Sequence, residues 1–273
     1  MSEKEQAQMS FLDHLEALRW HLIRATLAVV IAATLAFFFE HFIFDVLLFG
    51  PSRGDFWSYG VLCDVTTYFG VDAGFCFKEL PFTIQSRTMG GQFSAHIWTS
   101  ITAGFIIAFP YVIYEFWKFI APAMRDNERK TARYFIFVSS VLFFMGVLFG
   151  YYLVAPLSIN FLGTYQVSEQ VLNEFDLGSY ISLVRSSVVA CGLIFELPII
   201  IYFLAKIGIV TPGMLIKYRK YSLVVVLILS AIITPPDIVS QIIVAIPILV
   251  LYEVSILVAK FITRKEEKRL KKL

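Results

Sequence analysis

The chain has 273 residues, of which 58% are hydrophobic and 16% charged, and its mean hydropathy is +0.73. A water-soluble domain carries about a quarter charged residues, so this composition excludes one and demands an integral membrane protein with several spans. The net charge of +2 is uninformative until its distribution along the chain is read.

Residues 1–9 are polar and mixed in charge, with no cleavable signal peptide evident. Ser10 is placed to cap a helix and Asp13 to sit in its first turn. Phe11, Leu15, Leu18 and Leu22 then recur at helical spacing, interleaved with Asp13, His14, Glu16 and Arg19. That pattern predicts an interfacial helix over 10–21 that turns into the bilayer. Spans are predicted at Leu22–Phe38, Ser94–Phe116, Ala132–Val154, Ser179–Leu204, Tyr221–Ile233 and Ile238–Ile262. The fifth is short, and Thr234-Pro235-Pro236-Asp237 forces a tight turn into the sixth. The expected fold is therefore an all-α, six-span polytopic domain over the whole chain, with a short fifth/sixth hairpin that thins the bilayer locally.

Basic residues set the orientation. Lys4, Arg19 and Arg24 precede or open the first span; Lys118, Arg125, Arg129, Lys130 and Arg133 fill the second loop. Lys206, Lys217, Arg219 and Lys220 fill the fourth, and a basic tail occupies 263–273. The long loop 40–93 holds only Arg53, Lys78 and Arg87, and 155–178 holds Glu169, Glu174 and Asp176 with no lysine or arginine. Both termini are thus expected in the cytoplasm, with 40–93 and 155–178 outside.

The loop 117–131 is unusual for a connector. Trp117 and Phe119 form an aromatic lip, Pro122 fixes a corner, and Asp126 and Glu128 sit among Arg125, Arg129, Lys130 and Arg133. Two readings stand: a basic anchor that only sets topology, or a surface whose carboxylates receive a cation. Cys63 and Cys76 both fall in the first outer loop, where an oxidising compartment favours a Cys63–Cys76 disulfide over two free thiols. Cys191 lies mid-helix and reads as packing. The four histidines are scattered, so no metal site is expected, and nothing calls for a cofactor or nucleic acid.

Ionisable groups at membrane depth are costly and mark function by default. Glu196, two residues before Pro198, is read either as a hydrogen-bond acceptor between helices or as the lining of a polar cavity. Asp237 either caps the sixth helix or serves a partner, and Gln241 on the same face needs a partner across a helix interface. Glu115 and Glu253 read as interfacial charges. Gly146 and Gly150 form a GxxxG, a weak signal for close helix packing.

Taken together in order, SFLDHLEALRWHLI, FPYVIYEFWKFIAPAM-x-x-NER, FGYYLVAP, FELP and TPPDIVSQ with AIP after it are highly specific. The chain resembles the TatC family, the multispanning receptor core of the twin-arginine protein translocase. The resemblance implies a non-enzymatic subunit of the cytoplasmic (inner) membrane that exports folded proteins with twin-arginine signal peptides, driven by the proton-motive force. It further implies small single-span partners of the TatA and TatB kind, contact with membrane lipid, and self-association in a larger complex. By residue, it assigns Glu128, Phe119, Leu18 and Arg19 to signal-peptide binding. Glu196, Thr234, Asp237 and Gln241 fall to intramembrane polar contacts or partner docking. Pro51, Phe93, Pro110 and Tyr151 match positions that shape the outer cap and helices, beside the turn prolines Pro122, Pro235 and Pro236. The family's acidic residue before Leu-Arg is here Ala17, for which Glu16 and Asp13 are the candidate substitutes. The stretch around Cys63–Cys76 reads as an enlarged outer cap.

Two rival classes call for features that the chain lacks. A secondary transporter calls for an internal repeat and broken helices at the midplane, and no repeat is present. An intramembrane hydrolase calls for a nucleophile–base pair at depth, and only Ser94 and Ser100 lie near the single membrane-adjacent histidine, His96.

Overall fold

The computed structural model describes residues 11–68, 70, 76, 80–120, 132–168 and 170–270. In hydrocarbon every backbone polar group must be bonded within its own segment, so apolar runs of this length become helices. The elements are α1 (Phe11–Phe37), α2 (Trp57–Tyr68), β1 (Phe82–Gln85), α3 (Gly91–Ile120), α4 (Ala132–Phe149), α5 (Ala155–Thr164), β2 (Asn173–Asp176), α6 (Leu177–Ile194), α7 (Leu197–Lys206), α8 (Pro212–Lys217), α9 (Arg219–Ile233) and α10 (Ile238–Leu270).

Among the described residues, five helical stretches are long and apolar enough to cross a membrane: Leu15–Phe37, Gly91–Ile120, Tyr134–Thr164, Leu177–Lys206 and Ile238–Arg264. The remaining predicted span is α9, which has 15 residues. At 1.5 Å per residue it reaches about 22 Å, short of a hydrocarbon core of about 30 Å.

Several boundaries differ from the sequence expectation. The interfacial segment and the first span are one continuous helix, α1. The third span does not stop at Val154: a π-helical turn (Gly150–Val154) carries α4 into α5, so the first part of the expected outer loop 155–178 is helical. Pro156 sits in the first turn of α5, where a missing N–H costs nothing. The fourth span is broken instead of continuous. Pro198 removes a donor and its ring opposes the preceding turn, so α6 ends at Ile194 and α7 restarts at Leu197. Pro110, by contrast, is accommodated inside α3.

The chain forms two compact units, Met1–Glu40 with His96–Val141, and His41–Ala95 with Leu142–Leu273. In the first, α1 and α3 run antiparallel and nearly touch. A Cβ added at Gly104 would lie 2.6 Å from the Ala33 Cα, so only glycine permits this approach. At one end of the pair the His96 ring stacks on Phe37 at 3.9 Å and bonds its carbonyl through Nε2 at 3.0 Å. That carbonyl is one of the orphans at the end of α1.

In the second unit, the GxxxG of α4 and its π-turn is a close-packing surface. A Cβ at Gly146 would lie 2.5 Å from the Cys191 carbonyl oxygen, and one at Gly150 would lie 2.8 Å from that of Ser187. Cys191 is a packing residue in a core with Val154, Val226, Val244, Ala245 and Ile248. α7, α8 and α10 share a second core of Ala205, Leu215, Ile256, Ala259 and Ile262.

The loops expected outside the membrane are more ordered than an all-α chain implies. β1 and β2 pair in parallel, Phe82 opposite Asn173 through Gln85 opposite Asp176, which ties the 40–93 and 155–178 segments together. Arg87 secures the pair, its guanidinium donating to the Glu174 carbonyl at 2.9 Å. Cys63, on α2, is disulfide-bonded to Cys76. A π-helical turn (Phe42–Leu48) and a 3-10 turn (Gly50–Ser52) leave carbonyls without helical partners. Three tyrosine hydroxyls take them up: Tyr151 donates to Leu47 at 2.9 Å, Tyr180 to Leu48 at 2.7 Å and Tyr59 to Pro51 at 2.8 Å. Burial, with Tyr180 nearby, pushes the Tyr59 hydroxyl far above its ordinary range, so it stays a donor.

Candidate functional site

The segment 121–131, with Pro122 and Glu128, lies outside the described residues, and so does the Asp13 side chain. The structure does describe what flanks them. On α1, Glu16, Leu18 and Arg19 are exposed. On α3, Trp117 is buried against Phe135 with ring centroids 4.6 Å apart, and Phe119 is half-buried.

Between these two groups sits Glu115, which the sequence reading took for an interfacial charge. Glu115 is 2% exposed, and its carboxylate accepts from His21 Nδ1 at 2.6 Å, with Arg24 Nη1 at 3.6 Å. Tyr111, one turn back on α3, engages the same carboxylate. A buried carboxylate is tolerated when paired and hydrogen-bonded, and here α1 supplies both partners, His21 and Arg24. The His21 ring also meets Phe119 edge-on at 6.3 Å, so one imidazole touches two successive turns of α3. Glu115 is therefore no surface charge; it is the polar lock near the C-terminal end of α3, which runs on as helix through 117–120, the first part of the expected 117–131 loop. Only the helical spacing of Glu115 and Phe119 hinted at this, since His21 is 94 residues away.

The intramembrane polar residues are distributed differently. Glu196 is buried at the break between α6 and α7, where its carbonyl accepts from Ile199 and Ile200 at 2.9 Å each. Thr234, Asp237 and Gln241 gather at the α9–α10 turn made by the half-buried Pro235 and exposed Pro236. Thr234 donates to the Ser230 carbonyl at 2.8 Å. Gln241 Nε2 donates to the Leu227 carbonyl at 2.9 Å, the cross-helix partner a buried amide requires. The Asp237 carboxylate accepts from the Ser240 N–H at 2.8 Å and so caps α10. Burial raises the Asp237 carboxyl, but the bonds from Ser240 and the Val239 N–H outweigh it and hold it below its ordinary range. At the far end of the hairpin Glu253 pairs with Arg219 at 2.6 Å. Pro51 is buried in the 3-10 turn Gly50–Ser52, and Phe93 is exposed in the first turn of α3. Among the described residues no group of His, Cys, Asp and Glu could hold a metal ion.

The model of the family TatC, Sec-independent protein translocase protein, matches residues 13–247. The chain is 42% identical over 265 residues to a Sec-independent protein translocase protein TatC from Blattabacterium sp. subsp. Periplaneta americana, covering 97% of this chain and 100% of the relative. It is 34% identical over 260 residues to the protein of that name from Aquifex aeolicus, covering 95% and 98%. A crystal structure of the twin arginine translocase receptor TatC superposes with a TM-score of 0.68 at 32% identity, covering 92% of this chain and 99% of that one. A second, in DDM, gives 0.69 at 33% identity, covering 90% and 99%. A likeness of this extent leaves the transporter and hydrolase readings without support: the chain belongs to the TatC family and is a multispanning, non-enzymatic subunit of the Sec-independent protein translocase.

Proposed function

We propose that this subunit is the receptor that recognises twin-arginine signal peptides at the cytoplasmic face of the membrane. The observation that carries the reading is the α1–α3 lock. It holds the Leu18-Arg19 segment and the Phe119 lip at the root of the loop that bears Glu128. An arginine guanidinium cannot shed its charge and binds carboxylates through a planar fork. Two adjacent arginines therefore want two acids a few ångströms apart at a sparsely hydrated surface. Glu128 is the first, and Glu16 or Asp13 supplies the second in place of Ala17.

The rest of the proposal follows the charges. Both termini and the 117–131 loop face the cytoplasm, and α9 with α10 makes the last two of six crossings in a locally thinned bilayer. Lys206 and Lys220 support the assignment: their amines lie 5.4 Å and 5.1 Å from the Tyr202 and Tyr221 ring centroids, as basic residues do when they reach for an interface. Single-span TatA- and TatB-type helices would dock on the exposed apolar face of the hairpin, where Val224, Ile228, Ile232 and Ile242 present side chains. Thr234, Asp237 and Gln241 act there by holding the hairpin's shape, since their polar atoms are engaged within it. The signal's apolar segment would run along the helices towards Glu196, and transport would draw on the proton-motive force.

The test is a photo-crosslinking residue in place of Phe119, in native membranes. A precursor with an Arg-Arg leader is expected to be captured there and displaced by excess free leader peptide. Capture that free leader does not compete would contradict the reading.

A further inference from the structure

α2 turns two unlike faces. Its inner face is pinned: Tyr59 is buried, and its hydroxyl lies 2.8 Å from the Pro51 carbonyl and 3.2 Å from that of Pro156. One turn on, Cys63 is tied by its disulfide to Cys76. The opposite face carries Trp57, Val61, Val65 and Tyr68, all exposed, Trp57 at 67% and Tyr68 at 86%. With 3.6 residues per turn these four fall within an arc of about 80°, so they form one apolar row. Exposed Gly60, Asp64 and Thr67 line one edge of it. Rolling α2 to bury the row would pull against both anchors. What covers the row follows from where it starts. The Trp57 ring meets Tyr152 edge-on at 5.8 Å, and Phe56 stacks on the same tyrosine at 5.8 Å. Tyr152 belongs to the membrane-crossing stretch Tyr134–Thr164 and shares an exposed ridge with Leu148 and Met145 at helical spacing. On a helix that crosses a bilayer such a ridge faces acyl chains.

We infer that α2 is an interfacial helix: it lies along the membrane surface, with the Trp57–Tyr68 row in the acyl-chain boundary and the Gly60–Asp64–Thr67 edge towards water. The row continues the lipid-facing ridge of the span through the Trp57–Tyr152 contact, so the surface that covers the one covers the other. Exposed tryptophan and tyrosine at the two ends of the row suit that depth, since each joins an apolar ring to a group that wants water. α2 contains Asp64 and no lysine or arginine, so its attachment draws on apolar burial and not on anionic headgroups. The segment 40–93 is then not a wholly aqueous cap; part of it is seated in lipid. This holds whether or not the chain receives signal peptides.

The experiment places a diazirine-bearing residue at Val65 or at Gly60 of the full chain, in phosphatidylcholine nanodiscs and in native membranes, and identifies the photoproducts by mass. Both positions are exposed, and a Cβ at Gly60 meets nothing within 4 Å. They point about 140° apart around the helix, so one probe faces the proposed bilayer and the other its polar edge. At Val65 the expected main product is a phospholipid adduct. At Gly60 it is water insertion, with a lipid yield lower by about fivefold or more. Adding phosphatidylglycerol is expected to leave the Val65 yield unchanged within about twofold. Equal water insertion at the two positions, a lipid yield that requires phosphatidylglycerol, or a Val65 adduct in native membranes that is mainly to another polypeptide would each overturn the proposal. Should the Val65 variant not accumulate, the same probe at Tyr68, on the same row, decides.

Discussion

Replacing Glu128 with alanine is expected to weaken binding of an Arg-Arg leader by about 10- to 100-fold, the loss that follows from deleting one charge-assisted, two-pronged hydrogen bond. The effect should be larger than that of Asp126, the other acid in 117–131, because Asp126 does not match the receptor motif. Glu128→Asp keeps the charge but withdraws it by one methylene, so an intermediate loss is expected. Glu128→Gln separates charge from shape and should behave nearly as alanine does. Titration of a labelled leader against the protein in nanodiscs measures all three. An affinity unchanged in the alanine variant would remove Glu128 from the site and leave the loop as a topological anchor.

The largest effect on stability is expected at Gly104. Any side chain there meets the Ala33 backbone, 2.6 Å away at Cα, and backbone cannot rotate aside as a flexible side chain can. Gly104→Val should force α1 and α3 apart, costing about 3 kcal/mol by overpacking and loosening the Glu115–His21 lock with it. A fall in thermal midpoint in detergent, with reduced accumulation in the membrane, is the expected result. Gly60 is the matched control: nothing lies within 4 Å of a Cβ there, and it sits within the helix α2. Gly60→Ala should be neutral or slightly stabilising, since alanine is the better helix former by about 1 kcal/mol. Equal midpoints for the two variants would mean that the seam does not carry the unit.

What could be read from the residues follows from which forces act locally. Apolar length is local, so the long apolar helices found among the described residues and the turn at Thr234–Asp237 were legible. Gln241 was legible for the same reason: an amide in an apolar helix must find a partner, and it found the Leu227 carbonyl. The break at Glu196 was half legible, since Pro198 announced it but proline is also tolerated within membrane helices, as Pro110 shows. The β1–β2 pair was not legible. Four-residue strands of mixed polarity carry almost no pattern, and their partners lie about ninety residues apart. Glu115 was misread because depth is a property of the neighbours: the same glutamate would be an ordinary interfacial charge if α1 did not bring His21 and Arg24 against it. The same limit made Gly146 and Gly150 ambiguous until Ser187 and Cys191 were seen across from them.

The measurement that bears most directly on the whole account is the ratio of affinities for two leaders that differ only in Arg-Arg against Lys-Lys, taken with the intact protein in its own lipids. Carboxylates held at fork spacing predict a preference for arginine of at least about tenfold, the worth of one good bidentate contact over a point charge. A ratio near one would contradict it, because charge without geometry would then suffice and nothing about the α1–α3 arrangement would be needed to explain recognition.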